Sequence, residues 1–493
     1  MGGLFGGKGV SNSAPVISSI QLQTSSFGRA IPWIFGQQRV APNLIQYEDF
    51  TAIPHTTRQK TGKGGGGKTT NTEYTYSVAA ALALGSGPVS KIGRVWKDKE
   101  RTSLAELNLD YFNGTETQDP YPYFVTKHPD RALSYRGIAY VASGAYDLGS
   151  NAGFGNHTFE VQAYGSIGEK YAGSEVPDAE PVDVIVALLT DSVQGVGLDP
   201  ETLGDLSSFR SYCLANGLWV SPAYTDQKGA YECIKALLTI GFADCVYSGG
   251  KFKIVPYSDV PAEGRLATYH PTIAPVCDLG IDDFIAADED AVRITQKSAE
   301  ECFNHVRVKF RDRANDYNEN VAESKDDADI EQHGLRSMDV VDMPEIADAT
   351  VAQKVADFVL HRSLYILNTY EFRLPWKHVR LEPMDVVTLT YGPKFLDQTP
   401  VLITSIDEDE EGLLTIQAED YPIGSNRHTM QPAPDIGSDA PNYAVKPGDV
   451  HEPVLFEPPP KLTGNDSQLW MAVSGGDHWG GAVVWASTDD RSY

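Results

Sequence analysis

From Tyr74 to Leu84 the chain alternates. Tyr74, Tyr76, Val78, Ala80, Leu82 and Leu84 fall on one side, with Thr75, Ser77 and small alanines on the other. A period of two sends successive side chains to opposite faces of a pleat, so the segment reads as a strand with one heavy and one light face. Shorter candidates surround it. Ile31–Gly36, Arg39–Thr51, Lys91–Lys97, Leu104–Phe112 and Tyr135–Ala142 are bounded by Gly, Pro, Asn and Asp, and Asn113-Gly114 is a tight-turn signal. With 45 Gly and 30 Pro in 493 residues, a turn-rich β or α+β architecture is favoured over a helix bundle. Between two of these strands, His55–Thr72 is basic and glycine-rich and is expected to form a flexible loop.

At Pro181 the period changes. Val182–Thr190, Leu206–Asn216 and Lys228–Gly241 carry apolar residues at helical spacing, with Asp205 placed to cap the second helix and Gly217 just past its end. Ala243–Ser248 and Lys251–Val255 follow as a hairpin across Gly249-Gly250. Further on, Asn304–Phe310 alternates Val306, Val308 and Phe310 against Arg307 and Lys309. Asp312–Glu331 is so rich in Asp, Asn, Glu and Lys that a solvated extension is expected, and Ala347–Leu367 has helical spacing again. Residues 369–422 return to strands: Thr369–Leu374, Met384–Tyr391, and Val401–Ile406 paired with Leu413–Ala418 across an acidic tip at 407–412.

The expected division is 1–10 as a flexible N-terminus, 11–175 as a β domain containing the 56–72 loop, and 176–265 as an α+β domain. A second α+β domain with its polar extension spans 266–365, followed by a second β domain at 366–425, a linker at 426–457 and the opening strands of a β-sandwich at 458–493. Leu469–Ser474 and Gly481–Ser487 are the strand candidates in that last piece. A segment of about 35 residues is too short to bury its own core, so the chain is expected to be the front part of a longer parent.

Charge narrows the function classes. Lys and Arg number 40 against 67 Asp and Glu, a formal net charge of −27. An ordinary nucleic-acid binder needs a basic face to release counterions, and this chain repels phosphate on balance. Five cysteines form no CxxC and are read as reduced core thiols. No secretory signal or bilayer-length apolar run is visible, so a soluble chain in a reducing compartment is expected.

Gly62, Gly67, Lys68 and Thr69 satisfy the phosphate-loop pattern G-x-x-x-x-G-K-[ST]. That loop works only between a buried strand and a helix N-terminus, and here a strand-like run follows. A nucleotide-binding reading of 62–69 is therefore the minor alternative. The acidic runs lack calcium-loop spacing, and no nucleophile or metal constellation is evident. No catalytic residue, cofactor or metal is expected; a cell-wall hydrolase is the other alternative.

Several strings occur in a recognisable order: Gly28–Gly36 (GRAIPWIFG), Arg39–Ile45 (RVAPNLI), TEYTYSVAAALALGSGPVSKIGRVW, YFNGTETQDP at 111–120, YRGIAYV at 135–141, FGNHTFEV at 154–161, NHVRVKFRDRANDYNENVAE at 304–323 and LEPMDVVTLTYG at 381–392. Together they resemble the N-terminal hub region of long-tailed bacteriophage tail-tip proteins, the lambda-type tip attachment protein and the gene transfer agent hub, over about 14–422. The last string departs from the usual Pro-Gly-Asp by carrying Met384.

The resemblance implies an α+β, mainly β hub in which two β-barrel-like domains flank two smaller α+β domains. It implies a non-enzymatic homotrimer whose duplicated barrels imitate a sixfold ring. Implied partners are the distal tail protein hexamer, the tape-measure protein C-terminus, downstream tail-fibre or receptor-binding proteins, DNA passing through the lumen without specific binding, and indirectly the host surface. The implied location is the virion tail tip, assembled in the bacterial cytoplasm. Trp33, Phe35 and Tyr47, with Lys60, Lys63 and Lys68 of the basic loop, are the expected partner-facing residues.

Overall fold

A computed structural model of the chain describes residues 11–13, 17, 30–61, 67–98, 100–154, 156–272, 274–286, 290–422, 448–464, 466–476, 479 and 481–483; for 11–13, 58–61 and 67–69 it describes the backbone alone. The 1–10 segment, most of the 426–457 linker and the end of the Gly481–Ser487 candidate lie outside the described residues.

The alternating segment is the centre of the first domain. Gly67–Ser86 is a 20-residue strand paired with Asn43–Thr61 on one side and Ile138–Gly149 on the other. Val78, Leu82 and Leu84 join Val40, Val95, Val141, Phe159 and Val161 in a core between this seven-stranded sheet and a four-stranded sheet of Gln37–Val40, His157–Ala163, Val89–Lys97 and Glu100–Thr102. The light face is buried too. Ala79 and Ala81 leave room for Tyr121, Phe124 and Tyr140, and Phe112 stacks on Tyr140 at 4.5 Å. Small residues on one face therefore admit a second, aromatic layer beneath the helix Pro122–Lys127.

The helices fall near their expected positions: Pro181–Thr190, Ser207–Asn216, Ala230–Ile240 and Ala349–Tyr365. Asp205 accepts from the backbone N–H and the hydroxyl of Ser207, each at 2.9 Å, and Gly217 ends that helix at φ +63°. The hairpin Ala243–Ser248 and Lys251–Pro256 turns on Gly249 and Gly250, both at positive φ.

The two α+β stretches share one core. Val182, Phe209, Leu237 and Ile254 pack in a single cluster with Val306, Phe310, Val351 and Val355, and Phe242 stacks on Phe358 at 4.0 Å. A third core belongs to a six-stranded sheet in the order Asp278–Leu279, Val386–Tyr391, Leu396–Glu408, Leu414–Asp420, Asn368–Leu374, Val292–Gln296. The boundary expected at 366 is therefore not where this sheet begins, because its two outer strands come from 278–296. Strands of two and five residues carry too little periodicity to be read from sequence.

Met384, the residue that departs from the pattern the resemblance implies, holds φ +71°. Its side chain is buried against Val246, Val386, Leu402 and Tyr421, which offsets the left-handed strain. Neither β domain closes. Each sheet ends on outer strands among the described residues, so open packed sheets replace the expected barrels.

Candidate assembly interfaces

The segment expected to be solvated is the joint of the molecule. His305–Asp312 and Asn318–Lys325 form a hairpin whose Val306, Val308 and Phe310 face the helix Ala349–Tyr365. Its turn enters the first domain. Asp312 organises that turn, accepting from the Ala314 N–H at 2.9 Å and from the Tyr317 N–H on its carbonyl at 2.7 Å. Asp316 and Tyr317 then adopt φ +53° and +61°. Two successive left-handed non-glycine residues cost about 1 kcal/mol or more each and persist only where their surroundings hold them.

Those surroundings are four guanidinium groups and three carboxylates. Asp316 Oδ1 takes Arg94 Nη1 at 2.8 Å and Arg101 Nη2 at 2.6 Å, while Arg39 Nη1 donates to the Asp316 carbonyl at 2.8 Å. Arg94 also grips Glu160 at 2.7 Å, and the Tyr317 hydroxyl donates to the same carboxylate at 2.9 Å. Arg313 bonds both oxygens of Asp178, which in turn accepts from Ser221 Oγ at 2.6 Å. Trp96, only 1% exposed, lies under Arg39 at 4.2 Å and near Arg94 at 5.4 Å, and packs with Tyr317 and Ala347. Burial pushes the Glu160 carboxyl up, but its bonds from Arg94 and Tyr317 outweigh that and hold it below the ordinary range. Burial likewise opposes the Arg313 charge, and the Asp178 pair overrides it.

The approach of the two bodies requires Gly36. It sits at φ +63°, and a Cβ there would overlap Ser221 Oγ and lie 2.9 Å from the Ala179 N. Gly36→Ala is expected to lower the unfolding free energy by about 3 kcal/mol through left-handed strain and overpacking. Urea denaturation followed by tryptophan fluorescence checks this.

The expected partner residues separate. Trp33 and Phe35 are half-buried inside the chain: Trp33–Ile34 pairs with Ala223–Tyr224, and the rings of Trp33, Phe35 and Tyr224 meet at 4.9–6.5 Å. Tyr47 is exposed. The expected loop is mostly strand: Asn43–Thr61 and Gly67–Ser86 pair as far as Thr61 and Gly67, so Lys60 and Lys68 are strand positions and Lys63 lies outside the described residues. A strand, not a helix, follows Lys68. The phosphate-loop reading thereby loses the helix N-terminus it needs.

Near the aromatic cluster, Glu345 is 7% exposed and its Oε2 finds no donor among the described residues. Burial raises its carboxyl above the ordinary range. A folded-state value above the unfolded one means that the charged form opposes folding. Glu345→Gln is expected to stabilise the chain by about 1 kcal/mol near pH 7. The gain should fade as pH falls from the raised folded value towards the unfolded one, which denaturation at a series of pH values reads directly. No group of three or more His, Cys, Asp or Glu side chains placed to hold a metal occurs among the described residues.

The described residues form several packed cores, the first domain and the α+β body being joined through the guanidinium–carboxylate cluster, and the chain has the following likenesses to known proteins. Residues 229–406 match the Phage-tail_3 family, "Putative phage tail protein". A chain of the virion of a native gene transfer agent particle is 20% identical, with 85% of this chain and 90% of that chain covered at a TM-score of 0.55. The 43 kDa tail protein of prophage MuSo2 from Shewanella oneidensis is 12% identical over 80% of this chain and 99% of that one, at 0.32. The tail protein from Neisseria meningitidis MC58 is 10% identical over 80% and 98%, at 0.33. No curated protein matches. Across 229–406 the chain is thus similar to a phage tail protein family, and over most of its length it shares the fold of a gene transfer agent virion chain.

Proposed function

We propose that this chain is a structural subunit of a phage-like tail, the hub at its tip, and that it acts as a homotrimer without enzymatic activity. The observation that carries the reading is the order of cores: a strand-rich domain at each end of one α+β body, joined in a single polypeptide. Three copies bring six such domains, enough to meet a sixfold distal tail ring while presenting a threefold tip. The likeness to a gene transfer agent virion chain supports the same role. In this reading the hub closes the tube, anchors the tape-measure C-terminus and carries receptor-binding parts. It is assembled in the bacterial cytoplasm and resides at the virion tail tip. The net charge of −27 lets DNA pass without being held.

Light scattering on the purified chain, alone and with the distal tail protein, tests it. The expected species has three times the 53.7 kDa chain mass and joins the distal ring. A chain that stays monomeric with the ring present contradicts the reading, and clearing of peptidoglycan in a gel would contradict its non-enzymatic part.

A further inference from the structure

The longest strand pairing among the described residues, Asn43–Thr61 with Gly67–Ser86, extends past the sheet that supports it. The third strand, Ile138–Gly149, pairs with Gly67–Ser86 only from Ser86 back to Tyr76. Beyond that point Ala52–Thr61 and Gly67–Tyr76 continue as a ribbon of ten facing pairs, with Ser11–Ser13 alongside Thr70–Thr72 and the outer edge of 43–61 unpaired among the described residues. At about 3.3 Å per residue the overhang is roughly 33 Å long.

Its base is fixed. The register slips between Glu48 and Thr51, and Asp49 takes φ +53° there. The Asp49 carboxylate accepts from the Tyr123 hydroxyl and meets His128 Nε2, each at 2.8 Å, while Arg131 spans both oxygens of Glu48 at 2.9 Å. The ribbon is therefore aimed rather than loose at its root. Further out it has little to hold it: Thr51, Ile53, Pro54, His55, Thr56 and Thr57 are all exposed, and a two-stranded ribbon without a third layer is marginal in water.

Charge says what covers it. The strands Ala52–Thr61 and Gly67–Tyr76 carry Arg58, Lys60 and Lys68 against Glu73 alone, a surplus of two positive charges in a chain whose remainder carries −29. The register sets Lys60 directly opposite Lys68. Like charges facing across a ladder are destabilising, so the outer ribbon wants an acidic surface. We infer that the ribbon of Ala52–Thr61 and Gly67–Tyr76 is an intersubunit arm that lies on the acidic surface of a second copy of this chain, an inference that rests on the trimeric reading above. A polynucleotide approaching the arm would meet the repulsion of the rest of the chain. One ribbon face covers on the order of 300 Å². In a closed ring each copy gives one arm and receives another, so roughly 600 Å² of each chain is covered and each interface gains about 300 Å² per partner, a supplement to the ~800 Å² per partner of a standard interface.

The test compares the wild-type chain with Lys60→Glu/Lys68→Glu and Lys60→Gln/Lys68→Gln, using sedimentation over a concentration series at 50 and 300 mM NaCl. Circular dichroism melts of each confirm folding. The arm predicts a trimer that dissociates at about tenfold lower concentration at the lower salt, a loss of assembly of about tenfold or more in the glutamate variant, and an intermediate glutamine variant. A wild-type trimer whose concentration dependence the substitutions leave unchanged overturns the arm alone. A wild-type chain that never trimerises overturns the hub reading and the arm with it. Retention of duplex DNA that the glutamate variant loses, with its trimer intact, also overturns the arm and makes its partner a phosphate backbone.

Discussion

Arg313→Ala should separate the first β domain from the α+β body. The guanidinium is 18% exposed and its partner Asp178 only 3%, so truncation leaves a carboxylate buried with Ser221 as its remaining partner. Removing one member of such a pair costs about 3–5 kcal/mol, a large share of the 5–15 kcal/mol that stabilises a typical domain. The loss falls on the joint, since Arg313 of the hairpin turn also donates to the Gln37 carbonyl of the first domain at 3.3 Å, while Asp178 lies where the chain enters the α+β body. Urea unfolding should change from overlapping transitions to an early and a late one, with trypsin cleaving between them. Asp178→Asn combined with Arg313→Met should recover more than half of the loss, because no unpaired charge is then left buried. A single-variant loss under 0.5 kcal/mol would show that the pair does not hold the joint.

Trp96→Ala is the second large effect. The ring is fully covered by Arg39, Arg94, Tyr317 and Ala347, which come from both sides of the joint. Emptying it should cost about 3–5 kcal/mol by the usual penalty for deleting a buried aromatic, and should also weaken the Arg94–Asp316 contact. Trp96→Phe separates packing from chemistry. The indole Nε1 finds no acceptor among the described residues, so phenylalanine keeps a face for the guanidiniums without a buried unpaired N–H. Its cost should be about 1 kcal/mol, checked by the same denaturation series. Equal losses for the two variants would mean that the site depends on the indole itself.

The strands and helices with strong periodicity were legible. Gly67–Ser86 announces itself through six alternating residues, and Ala349–Tyr365 through Val351, Val355, Phe358 and Val359. The joint was not legible, for a specific reason. Along Asn318–Lys325 only Ala322 is buried, so the strand that pairs with His305–Asp312 shows no apolar alternation. Its polar turn looks solvated until Arg39, Arg94 and Arg101, more than two hundred residues earlier, are seen to surround it. The outer ribbon has the composition of a loop, because its strands are threonine-rich and flank a glycine run, and nothing in composition reveals cross-strand pairing. Trp33 and Phe35 have the residue types of a docking surface, but a two-residue strand at Ala223–Tyr224 claims them from within the chain. Partner-facing and core aromatics are the same residues in a sequence; only the pairing tells them apart.

A cryo-EM average viewed along the axis of the assembled particle tests the central claim most directly. The account predicts one circle of six strand-rich lobes with threefold symmetry, the 30–163 domain alternating with the 278–420 sheet. A particle in which those two bodies sit at different heights or radii, or in which the chain is a single copy on the axis, would contradict it.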